Sequence, residues 1–163
     1  MVSAEIYILE MNSKTSPPRR PEESGKFYGY ASVFNVEDSQ GDIVLSGAFS
    51  KTLKASRDIR LLFQHSQTDE LGKITLLRED AVGLYVEGRI STEGRLGRSV
   101  YSYAKSNLLN GLSIGYSVEN SYFDGRGRRV IRSLNLLEIS LVSFPANRFS
   151  RIIHCKSRSG PNG

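Results

Sequence analysis

The stretch "NGLSIGYSV", residues 110–118, carries a serine on an unusually small strand face. Apolar side chains alternate along it, which predicts a strand with one buried face, whereas the other face holds only Ser113, Gly115 and Ser117. Such a face either packs closely against another backbone or leaves the Ser113 hydroxyl open to a reaction partner. A serine hydroxyl attacks a carbonyl only when a base accepts its proton, so this chemistry requires a histidine or a comparable group nearby.

The chain contains only two histidines, His65 and His154, so imidazole chemistry has few candidates. His65 ends the apolar run "LLFQH" and shares a strand face with Leu61 and Phe63. It is either a strand-end histidine whose ring is satisfied by a backbone carbonyl, or a general base held on a rigid strand. His154 lies close to a polar terminus that we expect to fray, which makes it the poorer base.

Glu138 interrupts "LNLLEISLVSF", a stretch that is otherwise nearly continuous in apolar residues and is typical of a strand buried on both faces. An ionised carboxylate in such a strand needs donors or a cation, because its desolvation is costly. Glu138 therefore either caps the strand edge or pairs with an arginine, or it orients an imidazolium as the acid of a hydrolytic triad does. Ser140, which faces the same way, is a weaker candidate for that orienting role.

Other catalytic classes lack their motifs in this sequence. There is no G-x-S-x-G elbow, no Walker loop, no H-E-x-x-H and no paired-Asp motif. The single Cys155 excludes an intrachain disulfide framework and a cysteine-based zinc cluster, and it suits a reducing cytoplasm. No apolar run approaches the length of a membrane span, and the first residues show no export signal. We therefore expect no membrane association.

The net charge of +5 raises the alternative of a nucleic-acid-binding module. The positive charges form two clusters, which are typical of a solvated tail and a solvated hairpin tip. No aromatic stacking motif accompanies them, so nucleic acid binding is disfavoured. The tail cluster contains Arg148, Arg151, Lys156 and Arg158, and the hairpin cluster at "DGRGRR" contains Arg126, Arg128, Arg129 and Arg132.

Short strands must position these candidate residues. The 163 residues, 39% of them hydrophobic and 24% charged, predict a soluble globular protein with a sizeable core. Seven or eight strand patterns separated by turn-like segments favour a barrel or a sandwich. The predicted strands cover residues 4–11, 26–35, 58–65, 72–77, 83–90, 110–118 and 129–144.

Two segments have helical spacing instead. Residues 46–56 place Phe49 and Leu53 on one side, with Ser46 as the predicted N-cap. Residues 93–111 carry an apolar stripe and end at Gly111, a residue type common just after a helix. The fold class predicted from the whole pattern is mainly β with two packed helices (α+β).

Five segments of the sequence form a recognisable series: "GYASVFNVEDSQGDIVLSGAF", "IRLLFQH", "GLYVEGRI", "LLNGLSIGYSV" and "LLEISLVSFPANR". The combination of Asp-x-x-Gly-Asp with Gly-Ala-Phe, a strand-end histidine, Gly-Leu-Ser-x-Gly and Glu-x-Ser-Leu-Val-x-x-Pro-Ala is specific, although each piece alone is weak. In this order and approximate spacing, the segments resemble the tailed-bacteriophage prohead (capsid maturation) proteases, in particular their HK97-type branch. The resemblance covers residues 27–153.

The resemblance implies a serine endopeptidase whose fold is related to the herpesvirus capsid-assembly protease (assemblin), a β-barrel of about seven strands surrounded by helices. Carried over by motif, Ser113 is the nucleophile, His65 the general base and Glu138 the triad acid. The herpesvirus relatives use a second histidine at the third position, for which this sequence offers Glu138. No metal or organic cofactor is then required. The competing interpretations are an inactive structural capsid domain and a basic module that binds nucleic acid in the procapsid.

The resemblance also implies a task and a location. The enzyme would cut scaffold and major capsid protein segments, with itself as a further candidate substrate, inside the procapsid in the host cytoplasm. The herpesvirus relatives predict a dimer. Backbone N–H groups of Asn147 and Arg148, in the loop "PANR", are the candidate oxyanion hole. "DSQGD" is interpreted as a turn rather than a metal site. We expect one domain over residues 1–153, with a flexible loop at 11–25, and a disordered basic tail at 154–163.

Overall fold

A computed structural model describes residues 25–155 of the chain. The predicted strand at 4–11, almost all of the predicted loop at 11–25, and the tail from residue 156 onward lie outside the described residues. Within residues 25–155, one eight-stranded sheet curls into a half-barrel, and two short helices accompany it. The predicted fold class, mainly β with a small helical part, is confirmed. No helix in this range is long and apolar enough to cross a membrane.

The strands are β1 (Lys26–Val33), β2 (Asp42–Val44), β3 (Arg60–Phe63), β4 (Glu70–Glu79), β5 (Gly83–Ile90), β6 (Gly111–Phe123), β7 (Arg129–Val142) and β8 (Ile152–Cys155). They follow the sheet order β2-β7-β3-β4-β5-β1-β8, and β6 pairs with β7 beside that path. The helices are α1 (Ser50–Lys54), between β2 and β3, and α2 (Arg95–Lys105), between β5 and β6.

The alternating pattern of β6 separates the two faces of the sheet as predicted. Leu112 of β6 and its partner Leu141 of β7 are fully buried in the hydrophobic core. Residues directly opposite each other on antiparallel strands project from the same face, so the next pair along, Ser113 and Ser140, projects away from this core. The small face of β6 is therefore the outer face of the half-barrel.

Helix α1 is shorter than predicted, and its start differs. The predicted N-cap Ser46 is wrong, because the helix begins at Ser50 with Phe49 in the cap position and no side-chain cap. The Glu79 carboxylate, from β4, accepts the N–H groups of Gly47 (3.0 Å) and Phe49 (2.8 Å) instead. A distant acid thus satisfies the free amide donors that a local serine was expected to satisfy.

Helix α2 ends at Lys105, so the predicted stop at Gly111 is also wrong. Asn107 adopts the left-handed conformation there, with φ of 61°. Its N–H donates to the Ala104 carbonyl (3.1 Å). Asparagine tolerates this conformation and replaces the expected glycine, while Gly111 is the first residue of β6.

Two short strands, β2 and β8, were not predicted, because three or four residues carry too little alternation to be recognised. Strand β8 pairs with β1 and places His154 opposite Tyr28, with ring centroids 5.4 Å apart. His154 therefore lies in a paired strand rather than in a frayed terminus. The predicted start of the tail, at residue 154, falls inside this strand.

Candidate active site

Strand β7 lies between the strands that carry the candidate catalytic residues. It runs parallel to β3 on one side and antiparallel to β6 on the other. Glu138 is on β7, Ser113 is near the start of β6, and His65 is in the turn immediately after β3. The three residues, separated by up to 73 positions in sequence, are thereby brought to one region of the outer face.

His65 and Glu138 are in direct contact. The distance between His65 Nδ1 and Glu138 Oε1 is 2.5 Å, and the side chains are 45% and 7% exposed, respectively. An ionised carboxylate only accepts hydrogen bonds, so Nδ1 carries the proton and Nε2 of the neutral ring is left as an acceptor. Of the alternatives left open by the sequence, Glu138 pairs with the imidazole and not with an arginine, and the His65 ring is held by a carboxylate.

The turn that carries His65 has an uncommon backbone conformation. Gln64 and His65 are both left-handed, with φ of 50° and 60°. Each costs about 1 kcal/mol for a residue with a side chain, so other contacts must hold the turn. Gln64 N–H donates to the Leu141 carbonyl (2.9 Å), and Gln64 Nε2 donates to Ser143 Oγ (2.7 Å). The turn is therefore fastened to the end of β7.

Glu138 is satisfied on both of its oxygens. Ser140 Oγ donates to Oε2 at 2.7 Å, while Oε1 faces His65. Gly115 lies opposite Glu138 in the β6–β7 ladder, and a Cβ atom added there would lie 2.4 Å from Oε1. Gly115 thus provides the space that the carboxylate occupies, which gives a physical reason for part of the small face of β6.

Ser113 and His65 line the same open cleft, of about 660 Å³. No hydrogen bond joins their side chains within the described part of the chain. The lining also includes Asp38 from the β1–β2 loop and Asp42 from β2. Phe144, just after β7, is 93% exposed at the rim. The cleft can therefore admit a chain segment to both the hydroxyl and the imidazole.

The two candidate oxyanion residues differ in position. Asn147 lines the cleft, whereas Arg148 lines an adjoining groove with its guanidinium 4.7 Å over the Phe149 ring. Asn147 Nδ2 donates to the Val33 carbonyl (2.9 Å), which fixes the loop against β1. Among residues 25–155, the backbone N–H groups of Asn147 and Arg148 donate to no other protein group. Both donors are therefore left unused by the described part of the chain.

The predicted turn at "DSQGD" is confirmed. Asp38 Oδ1 accepts the N–H groups of Gln40 (2.8 Å) and Asp42 (2.9 Å), and Gly41 has a φ of 79°. The Asp42 carboxylate is buried, and Arg129 donates to it through Nε (2.8 Å) and Nη2 (2.6 Å). Its oxygens are thus taken by protein donors. In the part of the chain that is described, no three His, Cys, Asp or Glu residues cluster in a way that would hold a metal ion.

The electrostatics of Asp42 and Tyr116 are coupled. Tyr116 Oη donates to Asp42 Oδ2 at 2.8 Å. Burial alone would raise the pKa of Asp42, but the hydrogen bonds from Arg129 and Tyr116 and the charge of Arg129 outweigh it and hold that pKa below its ordinary value. Burial and the bond to Asp42 raise the pKa of Tyr116 well above its ordinary value. Asp42 is therefore ionised at neutral pH.

The arginines of the hairpin cluster form more contacts with the protein than predicted. Arg129, predicted to lie at a solvated hairpin tip, instead forms an ion pair with the buried Asp42, because β2 pairs with the first residues of β7. Arg128 pairs with Asp124 (2.6 Å), and Arg132 stacks over the Tyr122 ring at 4.5 Å. Lys156 and Arg158 lie outside the described residues. Because Arg128 and Arg129 are paired with carboxylates, fewer unpaired positive charges remain in the hairpin cluster to bind a phosphate backbone.

Comparison with known proteins establishes the family. The model of the caudovirus prohead serine protease family matches residues 12–161, so this chain belongs to that family. The prohead protease of Enterobacteria phage HK97 is 38% identical over 143 residues, which are 85% of this chain and 63% of that protein. The prohead protease of Escherichia phage T5 is 26% identical over 163 residues, 98% of this chain and 74% of that protein. The chain thus spans less than two thirds of the HK97 protein.

Solved structures agree on the fold. The bacteriophage T4 capsid assembly protease gp21 superposes with a TM-score of 0.61 at 12% identity, covering 72% of this chain and 81% of that one. The KSHV protease, solved with a hexapeptide phosphonate inhibitor, superposes with a TM-score of 0.55 at 13% identity, covering 82% of this chain and 66% of that one. The predicted relation to the herpesvirus protease fold is confirmed.

Proposed function

We propose that this chain is a serine endopeptidase that acts in phage prohead maturation. The observation that carries the proposal is the bond between His65 Nδ1 and Glu138 Oε1, beside a cleft that Ser113 and His65 share. Membership of the prohead serine protease family supports the same chemistry. Ser113 is assigned as nucleophile, His65 as general base and Glu138 as the acid that orients the base.

In the proposed mechanism, Ser113 Oγ attacks the carbonyl carbon of a peptide bond while its proton passes to His65 Nε2. Glu138 holds the ring in the required tautomer and stabilises the imidazolium that forms. The imidazolium then gives its proton to the leaving amine as the C–N bond breaks. A water molecule, deprotonated by His65, hydrolyses the acyl-enzyme and restores the free serine.

The tetrahedral intermediate requires donors for its oxyanion. We propose the backbone N–H groups of Asn147 and Arg148, since neither donates elsewhere among the described residues and Asn147 lines the cleft. Each such donor contributes about 3 kcal/mol to the transition state in comparable enzymes. The bond from Asn147 Nδ2 to Val33 supports this role, because a fixed loop loses no free energy to reorganisation during the reaction.

The proposed substrates are segments of the scaffold and of the major capsid protein, cut inside the procapsid in the host cell. The names of the related proteins, prohead protease in phages HK97 and T5 and capsid assembly protease in T4, support this assignment. The open cleft supports it too, because it can receive an extended segment of a large protein rather than only a small molecule.

The test compares wild type with Ser113→Ala and, as a matched control, Ser117→Ala on the same strand. Each full chain is incubated with scaffold and capsid protein and with a peptide phosphonate, and products and adducts are read by intact mass. We expect Ser113→Ala to lose the adduct and to lower cleavage by at least about 10³-fold, with Ser117→Ala unchanged. Equal cleavage and labelling by wild type and Ser113→Ala would exclude the proposed nucleophile.

A further inference from the structure

We propose that Ser140 is a positioning residue that fixes Glu138 and His65 relative to each other, an inference that rests on the proposed function. Ser140 Oγ donates to Glu138 Oε2 at 2.7 Å and accepts the backbone N–H of His65 at 3.2 Å. The residue is fully buried, with 0% exposure. One oxygen atom thus connects the side chain of the acid to the main chain of the base.

The chemistry of a hydroxyl suits this double contact. Its single proton goes to Glu138 Oε2, and its lone pairs remain free to accept the N–H of His65. Ser140 also lies at the centre of the site, opposite Ser113 in β6 and beside Leu62 of β3. A short hydroxyl at this position reaches both partners, whereas an alanine reaches neither.

The two contacts of Ser140 act directly on the base and the acid, whereas the hydrogen bonds of Gln64 fasten only the neighbouring part of the turn. His65 is left-handed and its side chain is 45% exposed, so its orientation depends on contacts to β7. Glu138 Oε2 receives its hydrogen bond from Ser140, and Oε1 faces the imidazole. Without the hydroxyl, one buried carboxylate oxygen and one backbone donor both lose a partner, and the ring is free to turn away from the cleft.

Ser150 provides a matched control. It is as fully buried as Ser140, and its hydroxyl is the buried polar side-chain atom without a hydrogen-bond partner in the described part of the chain. Ser150→Ala therefore removes a buried hydroxyl without breaking a hydrogen bond. The difference between the two variants isolates the contacts of Ser140 from the general effect of changing a buried serine.

The kinetic test uses the full chain and a peptide that spans a cut segment of the scaffold. We expect Ser140→Ala to lower kcat by about 10-fold to 100-fold with KM within about two-fold of wild type, and Ser150→Ala to change neither. In a Glu138→Gln background, the further effect of Ser140→Ala should largely vanish, because Ser140 acts through Glu138. Independent, multiplying effects of the two substitutions, or an unchanged kcat, would overturn the proposal.

A spectroscopic test separates this proposal from the proposed function. The proton between His65 Nδ1 and Glu138 gives a low-field ¹H NMR resonance, which is assigned by its loss in His65→Gln. We expect Ser140→Ala to shift or broaden this resonance, while Ser113→Ala and Ser150→Ala leave it in place. An unchanged resonance in Ser140→Ala overturns the positioning role alone. A shifted resonance together with full proteolysis by Ser113→Ala would instead reject the protease mechanism and retain the positioning contact.

Should Ser140→Ala fail to fold, Ser140→Cys keeps a side chain of similar size with a much weaker donor. The same resonance and the same kcat are then measured on that variant. Thermal unfolding of each protein shows whether any loss of activity follows a loss of folded protein. A kcat that falls only in proportion to the unfolded fraction would contradict a positioning role.

Discussion

Two buried carboxylates have different partners: Asp42 lines the cleft, and Glu138 contacts His65, which lines it too. Their side chains are 2% and 7% exposed, so the charge of each must be compensated by neighbouring groups. Asp42 receives two hydrogen bonds from the guanidinium of Arg129 and one from Tyr116. Glu138 contacts the imidazole of His65 and the hydroxyl of Ser140, and no guanidinium contacts it among the described residues.

The difference determines what each carboxylate can do. Arg129 is always charged, so the Asp42 pair has a fixed, neutralised charge that joins the start of β7 to β2. Glu138 has no permanently charged partner among the described residues, so in the proposed mechanism its charge is available to stabilise the imidazole at the step when that ring takes a proton. Asp42 is thus a structural brace, and Glu138 is suited to catalysis.

The largest expected effect comes from neutralising each carboxylate in turn. Glu138→Gln should lower kcat by about 10³-fold to 10⁴-fold with little change in Tm, because the imidazole loses its orienting charge. Asp42→Asn should lower the free energy of unfolding by about 2 kcal/mol and leave kcat of the folded fraction close to wild type. That cost is below the usual value for a broken buried pair, since the Arg129 side chain is 38% exposed. Peptide kinetics and urea unfolding measure the two quantities.

Glu119→Gln is the control for this comparison, because Glu119 pairs with Lys51 at the surface, away from the cleft. It should change neither kcat nor the unfolding transition. The comparison fails if Glu138→Gln mainly destabilises the fold or if Asp42→Asn mainly lowers kcat.

The role of Glu138 could be predicted from the sequence, but the pairing of Asp42 with Arg129 could not. Glu138 was noticeable because it interrupts an apolar strand, and the family resemblance paired it with His65. The partner of Asp42 is 87 positions away, and the glycine-rich turn beside it made Arg129 look solvated. Pairing across that distance depends on β2 lying next to β7, and no local pattern encodes a strand of three residues.

The helix ends were missed for a similar reason. Ser46 and Gly111 are suitable capping residues by type, but Glu79 and Asn107 perform those roles in the folded chain. Local propensity is a weak guide where a distant side chain satisfies the same backbone groups. The small face of β6 that includes Gly115 was evident from the sequence. The contact of Gly115 with Glu138 was not, because it depends on the register of β6 and β7.

We expect an intermediate loss of kcat when a side chain fills the space beside Glu138. In Gly115→Ala, the new Cβ would lie 2.4 Å from Glu138 Oε1, so the carboxylate must move away from its position against His65. We expect kcat to fall by about 10²-fold, the size of effect that a small misplacement of a catalytic group produces. Gly125→Ala is the control, because nothing lies within 4 Å of its added Cβ. Wild-type kcat in Gly115→Ala would show that the position of the carboxylate is not critical.

The smallest expected effect is a change in the free energy of unfolding at extremes of pH. It tests the structural role of Asp42 and does not involve Glu138. The pKa of Asp42 is lowered in the folded state, so the ionised Asp42 stabilises the fold above the ordinary pKa of about 4, and this stabilisation is lost as the pH falls through the folded pKa.

The pKa of Tyr116 is raised in the folded state, so the protonated Tyr116 stabilises the fold below about pH 10, and this stabilisation is lost as the pH rises toward the folded pKa. The difference in unfolding free energy between wild type and Asp42→Asn should therefore shrink on the acid side, where the carboxylate of the wild type is protonated. The corresponding difference for Tyr116→Phe should shrink on the alkaline side, and also to a smaller extent on the acid side, because the bond from Tyr116 helps to lower the pKa of Asp42. Urea unfolding from pH 3 to pH 11 measures both, and differences that stay constant across that range would mean that the brace is not held by the charge of Asp42.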